Sequence, residues 1–359
     1  MNPKNVLVLF GGTSPEHDIS IVSAASVIGT LNRHTVIPVY ITREGKWLLY
    51  DGKLDNITDI NWEKFGTPAI LSPDRVNRGL MRIVGDKVKI IPVDVVLPVL
   101  HGPNGEDGTI QGLCELAGIP YMGCGVAASA VAMDKGIIKT VARGLKIPQG
   151  DFLVFGEDAL EENLGECMNK IRYKLGYPCF VKPNCGGSSI GVSKAENRKE
   201  LKIAIEEALK YSSRIIVEKF IKGREVEVGI FGNGITAKAS VVGEIIADGE
   251  FYDFEAKYEK AESKTIVPAD LPEDIVKKIQ DYALEIYRAI DCKGLSRVDF
   301  FVAENGKVLF NELNTLPGFT PISMYAKMWE ECGVTRQKLI EGLINLATGD
   351  KDHETHRNI

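Results

Sequence analysis

The chain is short of the features that would make it a membrane, nucleic-acid or disulfide-stapled protein. No apolar run approaches the roughly 20 residues that span a bilayer. Basic residues are not in excess: 43 Lys and Arg stand against 49 Asp and Glu, a net charge of −6. A nucleic-acid groove needs a basic stripe, so no nucleic-acid partner and no membrane partner is expected. The seven cysteines (114, 124, 167, 179, 185, 292 and 332) include no CxxC pair and leave one over. That set suggests neither a disulfide framework nor a zinc site, and it suits a cytoplasmic protein. Met1-Asn2-Pro3-Lys4 ahead of Val6–Phe10 lacks the long apolar region and cleavage site of a signal peptide and reads as a first strand. Internal repeats and low-complexity tracts are missing as well. What remains is ordinary globular material, 44% hydrophobic and 26% charged, enough for two or three domains.

Strands and helices alternate over the first third. A strand at 5–10 runs into Gly11-Gly12-Thr13-Ser14-Pro15-Glu16-His17-Asp18, and a helix follows to about residue 32. Ser14 suits the N-cap, Pro15 the first helical position, and Glu16 and Asp18 the first turn. Further strands are expected at 36–41, 47–49, 80–84, 87–91 and 94–99, with 42–80 an irregular, partly helical insertion. The middle reads as α+β, with helices at 134–144, 158–174 and 197–210 and strands at 152–155, 178–182 and 190–193. The last third opens with strands at 214–220, 225–231 and 235–246 and a polar, aromatic loop at 247–266. After Pro272 comes a helix with Ile275, Ile279, Tyr282, Ile286 and Ile290 on one stripe. A hairpin and a helix at 335–348 follow, and the tail from 349 reads as disordered.

The hairpin is the most informative segment. Leu295–Val302 and Val308–Asn314 flank Ala303-Glu304-Asn305-Gly306-Lys307, and Asn-Gly between alternating apolar runs signals a two-residue type I′ turn. With Asn305 and Gly306 as the turn, Asp299 faces Glu312 and Arg297 faces Asn314, all on one face. Like charges directly opposite destabilise a sheet, so something positive should fill the gap. An all-oxygen set of Asp, Glu and Asn suits a hard divalent cation, Mg²⁺ bridging to phosphates being the usual case. The plainer reading is a solvated edge whose acids face water.

Other motifs offer a nucleotide site. Lys182 ends an apolar strand before Gly186-Gly187-Ser188-Ser189-Ile190-Gly191, a turn whose backbone N–H groups can meet phosphate oxygens beside a lysine. It is no Walker A loop, since Gly-Lys-Ser/Thr opening a helix is missing; alone it reads equally as a flexible hairpin. Lys135 starts a helix within reach of a second phosphate oxygen, although most helix lysines are solvated. Glu218 ends a strand before Phe220 and Ile221, whose backbone suits an adenine ring, and Glu225 suits ribose hydroxyls; a strand end with a salt bridge reads the same. His101-Gly102-Pro103-Asn104-Gly105-Glu106-Asp107-Gly108 follows a buried strand, at the end where α/β sheets place ligands. Gly249–Tyr258 is too aromatic for an idle linker and suggests a lid, or rings that pin the loop to the core.

Taken in order, GGTSPEHDIS, HGPNGEDG, GVAASAVAMDK, VKPNCGGSSIGVSK, VEKFIKGREVEVG, FYDFEAKY, SRVDFF and NELNTLPGFTPISMY resemble the ATP-grasp superfamily and, within it, the D-alanine–D-alanine ligases. The resemblance covers nearly the whole chain. It implies an α/β and α+β fold of three domains: an N-terminal parallel α/β substrate-binding domain (1–123), a central ATP-grasp lid domain (124–217) and a C-terminal ATP-grasp catalytic domain (218–350), with a tail at 351–359. It further implies that Lys135, Lys182, Gly187, Ser189, Glu218, Phe220, Ile221, Glu225 and Lys257 hold ATP. Asp299, Glu312 and Asn314 would hold two Mg²⁺ ions, with Mn²⁺ able to substitute. Glu16 would bind the ammonium of the first D-alanine, joined by Ser188 and Tyr258 in closing the lid. His101 would border the second subsite, and Ser323 with the Met324 backbone would take the second carboxylate. Arg297 and the Gly318 N–H would stabilise the tetrahedral oxyanion. Phe254 stands where many members carry Tyr, a departure of one hydroxyl. The implied setting is peptidoglycan precursor synthesis in a bacterial cytoplasm, by a homodimer. D-Ala–D-Ser ligation, D-Ala–D-Lac ligation, another carboxylate–amine ligation, and a non-catalytic nucleotide binder are the alternatives.

Overall fold

The computed structural model describes residues 2–54, 57–187, 190–246 and 264–350. Three sheets carry the chain. The first has seven strands: β1 (Asn5–Gly11), β2 (Thr35–Ile41), β3 (Trp47–Leu49), β4 (Thr67–Leu71), β5 (Gly79–Val84), β6 (Lys87–Pro92) and β7 (Val95–Val99), ordered β6-β5-β4-β3-β2-β1-β7. Only β1 pairs in parallel, with β2 and with β7. Strands buried on both faces read as unbroken apolar runs, and Val6 to Phe10 are fully buried. Val6, Val8 and Phe10 meet Ala24 and Val27 of the helix His17–Ile28. Leu7 and Leu9 meet Ile110 and Cys114 of the helix Thr109–Ala117.

Two expectations for this sheet need correction. The parallel domain is mixed, because β3 to β6 pair antiparallel, and β4 lies inside the stretch taken as an irregular insertion. Proline within a run argues against a strand, yet Pro68 sits near the start of β4 and pairs with Leu48 of the three-residue β3. The first helix also begins later than expected, with Glu16 rather than Ser14 at its N-cap. The Ser14 hydroxyl instead accepts from the Glu16 N–H at 3.2 Å and so braces the approach to the helix.

The second sheet is antiparallel: β8 (Phe152–Gly156), β9 (Cys179–Pro183), β10 (Ser193–Ala195) and β11 (Arg214–Lys219), ordered β10-β9-β11-β8. Cys179, Val181, Ile215 and Val217 pack against the helices Glu157–Lys174 and Arg198–Leu209. Alternation along the strands then turns Phe180, Lys182 and Glu218 toward the opposite face. β10 starts three residues later than expected, because Gly191 at φ +70° prolongs the glycine-rich turn.

The third sheet comprises β12 (Gly223–Phe231), β13 (Lys238–Ile246), β14 (Lys264–Ile266), β15 (Leu295–Ala303) and β16 (Val308–Asn314), ordered β14-β13-β12-β15-β16 and antiparallel throughout. The helix Glu273–Ala289 covers its core face with Ile275, Ile279, Ala283, Ile286 and Tyr287. Tyr282 and Ile290, expected on that stripe, are half-buried beside it. Residues 264–266 of the expected loop form β14; the rest of that loop and the tail at 351–359 lie outside the described residues. Among the described residues no helix is long and apolar enough to cross a membrane.

The hairpin keeps its expected pairs by an unexpected route. Asp299 faces Glu312 and Arg297 faces Asn314, but Phe300 faces Phe310 and Val302 faces Val308, one step out of that register. The turn holds three residues rather than two. The Gly306 N–H donates to the Ala303 carbonyl and the Ala303 N–H to the Lys307 carbonyl, with Gly306 at φ +76°. Of the two turn residues only Gly306 is left-handed, so the type I′ geometry, which needs both, is excluded. A bulge between Asp299 and Phe300 on one side, and Glu312 and Phe310 on the other, makes Asn311 the extra residue and restores the pairing of the acids.

Candidate active site

A cleft of about 690 Å³ lies between the second and third sheets. Lys182, Glu218 and Phe220 line it from one side, and Glu225, Glu227, Asp299 and Glu312 from the other. The helix Lys135–Gly144 closes one end. Asp134 caps that helix by accepting from the Ile137 N–H at 2.8 Å, and it is fixed in turn by Arg214 at 2.8 Å. With its start fixed, Lys135 donates to the Gly186 carbonyl at 2.7 Å and lies 3.5 Å from Glu312. One side chain thus ties helix, glycine-rich turn and hairpin together.

Lys139, one helical turn on, escaped the sequence reading. It is 3% exposed, and its ammonium lies 2.6 Å from Glu218, whose other oxygen meets Lys182 at 2.6 Å. Burial opposes ionisation of Glu218, but the two ammonium groups outweigh it and hold the carboxyl far below its usual range. Burial also lowers Lys139, with Glu218 pulling the other way, whereas for Lys182 the attraction of Glu218 and Glu312 overcomes burial and raises it. The signal for Lys139 was its spacing: i and i+4 share a helix face.

Phe220 stacks obliquely on Phe180 at 6.0 Å, with the Lys194 ammonium 5.4 Å above its ring. Together with Ile221 they make an aromatic, cation-flanked wall at the cleft's edge.

Across the third sheet, Glu227 of β12 stands beside Asp299 of β15, which stands beside Glu312 of β16. The positive charge demanded by facing acids is supplied in part by side chains. Arg297 donates from Nε and Nη2 to the two oxygens of Asp299 at 2.8 and 2.7 Å, and its Nε lies 3.2 Å from Glu227 Oε1. Burial works against the guanidinium charge, but Asp299 and Glu227 outweigh it and raise its pKa further. Glu227 was not picked out from sequence; the alternation Glu225-Val226-Glu227 put it on the cleft face, but its strand neighbours are set only by tertiary pairing.

The donors suit a hard cation. Asp299 and Glu312 are carboxylates on adjacent strands at the cleft surface, while the Asn314 oxygen already accepts from the Leu316 N–H at 2.8 Å and has one lone pair left.

A second cluster adjoins the glycine-rich turn. A Cβ added at Gly102 or at Gly187 would come within 2.6 and 2.8 Å of Glu16 Oε2, so that carboxylate sits where three loops converge. His101 Nε2 lies 3.2 Å from Ser23 Oγ and its Nδ1 lies 3.5 Å from Glu106. Burial disfavours its protonation, but Glu106 and Glu16 outweigh this and raise its pKa. Gly318 adjoins both His101 and Ser323, the N-cap of the helix Met324–Glu331, and the Thr320 and Ser323 hydroxyls are 2.7 Å apart. The structure therefore gathers Glu16, His101, Gly318, Ser323 and Met324 into one region, and Lys135, Lys182, Glu218, Glu225, Asp299 and Glu312 into the cleft. Ser188, Ser189, Lys257 and Tyr258 lie outside the described residues.

Two family models together match most of the chain. The model for the D-Ala–D-Ala ligase N-terminus matches residues 5–124, and that for the C-terminus matches 141–345. The chain is 49% identical to the D-alanine–D-alanine ligase of Acetivibrio thermocellus, covering 96% of both, and 47% identical to that of Caldicellulosiruptor bescii, covering 97% and 96%. Among solved structures it is similar to the VanG D-Ala:D-Ser ligase of Enterococcus faecalis, at 38% identity and a TM-score of 0.87 over 96% of this chain and all of that one. It is also similar to the D-alanine–D-alanine ligase of Coxiella burnetii, at 35% identity and 0.81 over 97% and 95%. The fold is of the ATP-grasp kind, and the protein is a carboxylate–amine ligase. The chain belongs to the D-alanine–D-alanine ligase family.

Proposed function

We propose that the protein joins two D-alanines at the expense of ATP, through a D-alanyl phosphate, to supply D-alanyl-D-alanine for peptidoglycan precursors. The observation that carries this reading is the convergence of Glu16, Gly102 and Gly187, a carboxylate suited to an ammonium beside a glycine-rich turn suited to phosphate. A carboxylate oxygen of the first D-alanine attacks the γ-phosphorus, and the bond to the ADP oxygen breaks. The ammonium of the second gives up one proton, its nitrogen attacks the acyl carbon, and the carbon–oxygen bond to phosphate breaks. A second proton leaves as the amide N–H forms, both protons passing to the released phosphate or to water.

Each residue has work matched to its surroundings. Lys135 and Lys182 meet phosphate oxygens, Glu225 the ribose, and Glu218 orders both lysines that flank it. Phe220 and Ile221 hold adenine. Glu16 fixes the first ammonium, and Ser323 with the Met324 N–H takes the second carboxylate at a helix start, where the dipole favours anions. Arg297 and the Gly318 N–H receive the oxyanion, a kind of contact whose loss typically costs ~10²–10³ in rate. Asp299, Glu312 and Asn314 would hold Mg²⁺, in two ions that Mn²⁺ can replace, neutralising charge between the phosphates. Ser188, Tyr258 and Lys257 would close the site, excluding water from an intermediate that hydrolyses readily. The setting is cytoplasmic, and the working form a homodimer of three-domain subunits divided near residues 123 and 217.

The likeness to a D-Ala:D-Ser ligase favours one second reading, in which the incoming amine belongs to D-serine. Phosphate release with a panel of D-amino and D-hydroxy acids separates the two. D-alanine alone should give full release. Release only on adding D-serine moves the specificity, and none with any pair removes the ligase reading.

A further inference from the structure

Glu227 has no part in the chemistry just described, yet it lies within it. It is 4% exposed and stands in the same cross-strand row as Asp299 and Glu312. A carboxylate so buried persists only where a cation answers it, and Arg297 does so at 3.2 Å. The same guanidinium forks onto both oxygens of Asp299. Asp299 therefore has two claimants. Each oxygen accepting from the guanidinium keeps one lone pair for a cation, but a cation bound there draws charge from the carboxylate and weakens both hydrogen bonds to Arg297.

We propose that Glu227 is the positioning residue for Arg297, holding the guanidinium over the reacting carbonyl while Asp299 is engaged by Mg²⁺. The inference rests on the oxyanion role given to Arg297 above. Its physical content is a division of labour between neighbouring carboxylates: one is released to the ion because the other retains the arginine. Removing the charge of Glu227 leaves Asp299 as the one carboxylate paired with Arg297, with Glu312 acting on it from the next strand. Arginine and magnesium then compete for a single carboxylate.

Two measurements on Glu227→Gln, which keeps the side chain's size, test this. The ligation kcat at saturating Mg²⁺ should fall tenfold or more, with KM for ATP changed less than about threefold. Calorimetric titration of Mg²⁺ into enzyme and ADP, which needs no turnover, should show several-fold weaker uptake. Glu227→Asp, which retains the charge, should recover part of both losses. A purely structural Glu227 would lower Tm and leave kcat per folded enzyme and Mg²⁺ uptake unchanged, and that result overturns the proposal. If Glu227→Gln does not fold, Mg²⁺ uptake by Glu227→Asp decides, and wild-type uptake counts against it. Arg297→Lys is the control. Full activity there defeats the reading of Arg297 itself, whereas loss there with none in Glu227→Gln defeats only the role given to Glu227.

Discussion

Lys139 shows how a single side chain can be hidden in a sequence. Helix lysines usually extend into water, so Met133-Asp134-Lys135 drew the eye as a helix start while a lysine four residues on looked ordinary. Its burial follows from Glu218, which is supplied by a strand some 80 residues away and holds two ammonium groups at 2.6 Å. His101 is the converse case, legible as a polar loop residue but with its charge state set by neighbours. Glu106 and Glu16 raise its pKa above the unfolded value of ~6.5. A group raised in the folded state adds stability that is fully present below the unfolded pKa and lost as pH rises through the folded one. Urea unfolding should therefore show the advantage of the native enzyme over His101→Gln to be greatest below about pH 6.5 and to shrink at alkaline pH. An advantage that grows with pH would contradict the pairing.

Elements were legible where a period repeats and obscure where an exception resets it. The unbroken apolar runs of β1 and β7 and the stripe at Ile275, Ile279 and Ile286 declare themselves. β4 is no shorter than β7 and both contain a proline, but β4 alternates exposed with buried residues instead of forming an apolar run, so local pattern did not mark it although the sheet required it. In the hairpin the alternation identified the correct faces, but a three-residue turn and the bulge at Asn311 offset one another. Each alone would slip the register of β16 by one and turn Glu312 and Asn314 to the core side, while Asp299 stays fixed by the pairing of β15 with β12. Gly306→Ala probes the turn. A Cβ there meets no atom within 4 Å, so the cost is that of a left-handed backbone, roughly 1–2 kcal/mol, read as a lower urea midpoint with kcat per folded enzyme unchanged. No loss of stability would place the turn in another conformation.

At the scale of the molecule, the nucleotide cleft belongs to neither sheet alone, because Lys182 and Glu218 come from the second and Asp299 and Glu312 from the third. The second sheet brings lysines and the third the row of acids, so the charges complement one another only when the two face each other. Ligand binding should therefore tie the two sheets together. A non-hydrolysable ATP analogue with Mg²⁺ at about 100 times its Kd should stabilise the fold by about 2.7 kcal/mol, read as a higher Tm that falls back on chelation. A Tm indifferent to nucleotide would reject the cleft as its site.

Local chemistry in the chain settled which segments are strands, helices and glycine-rich turns, and which side chains share a face, because backbone periodicity and φ preferences act over a few residues. It settled the ordered motifs that mark the family as well. Only the tertiary structure decided that Lys139 is buried, that Glu227 joins the row of acids, and that Glu16 meets Gly187. Those contacts join residues from about 70 to more than 170 positions apart, and their geometry follows from how sheets pair and pack rather than from any neighbour in the sequence.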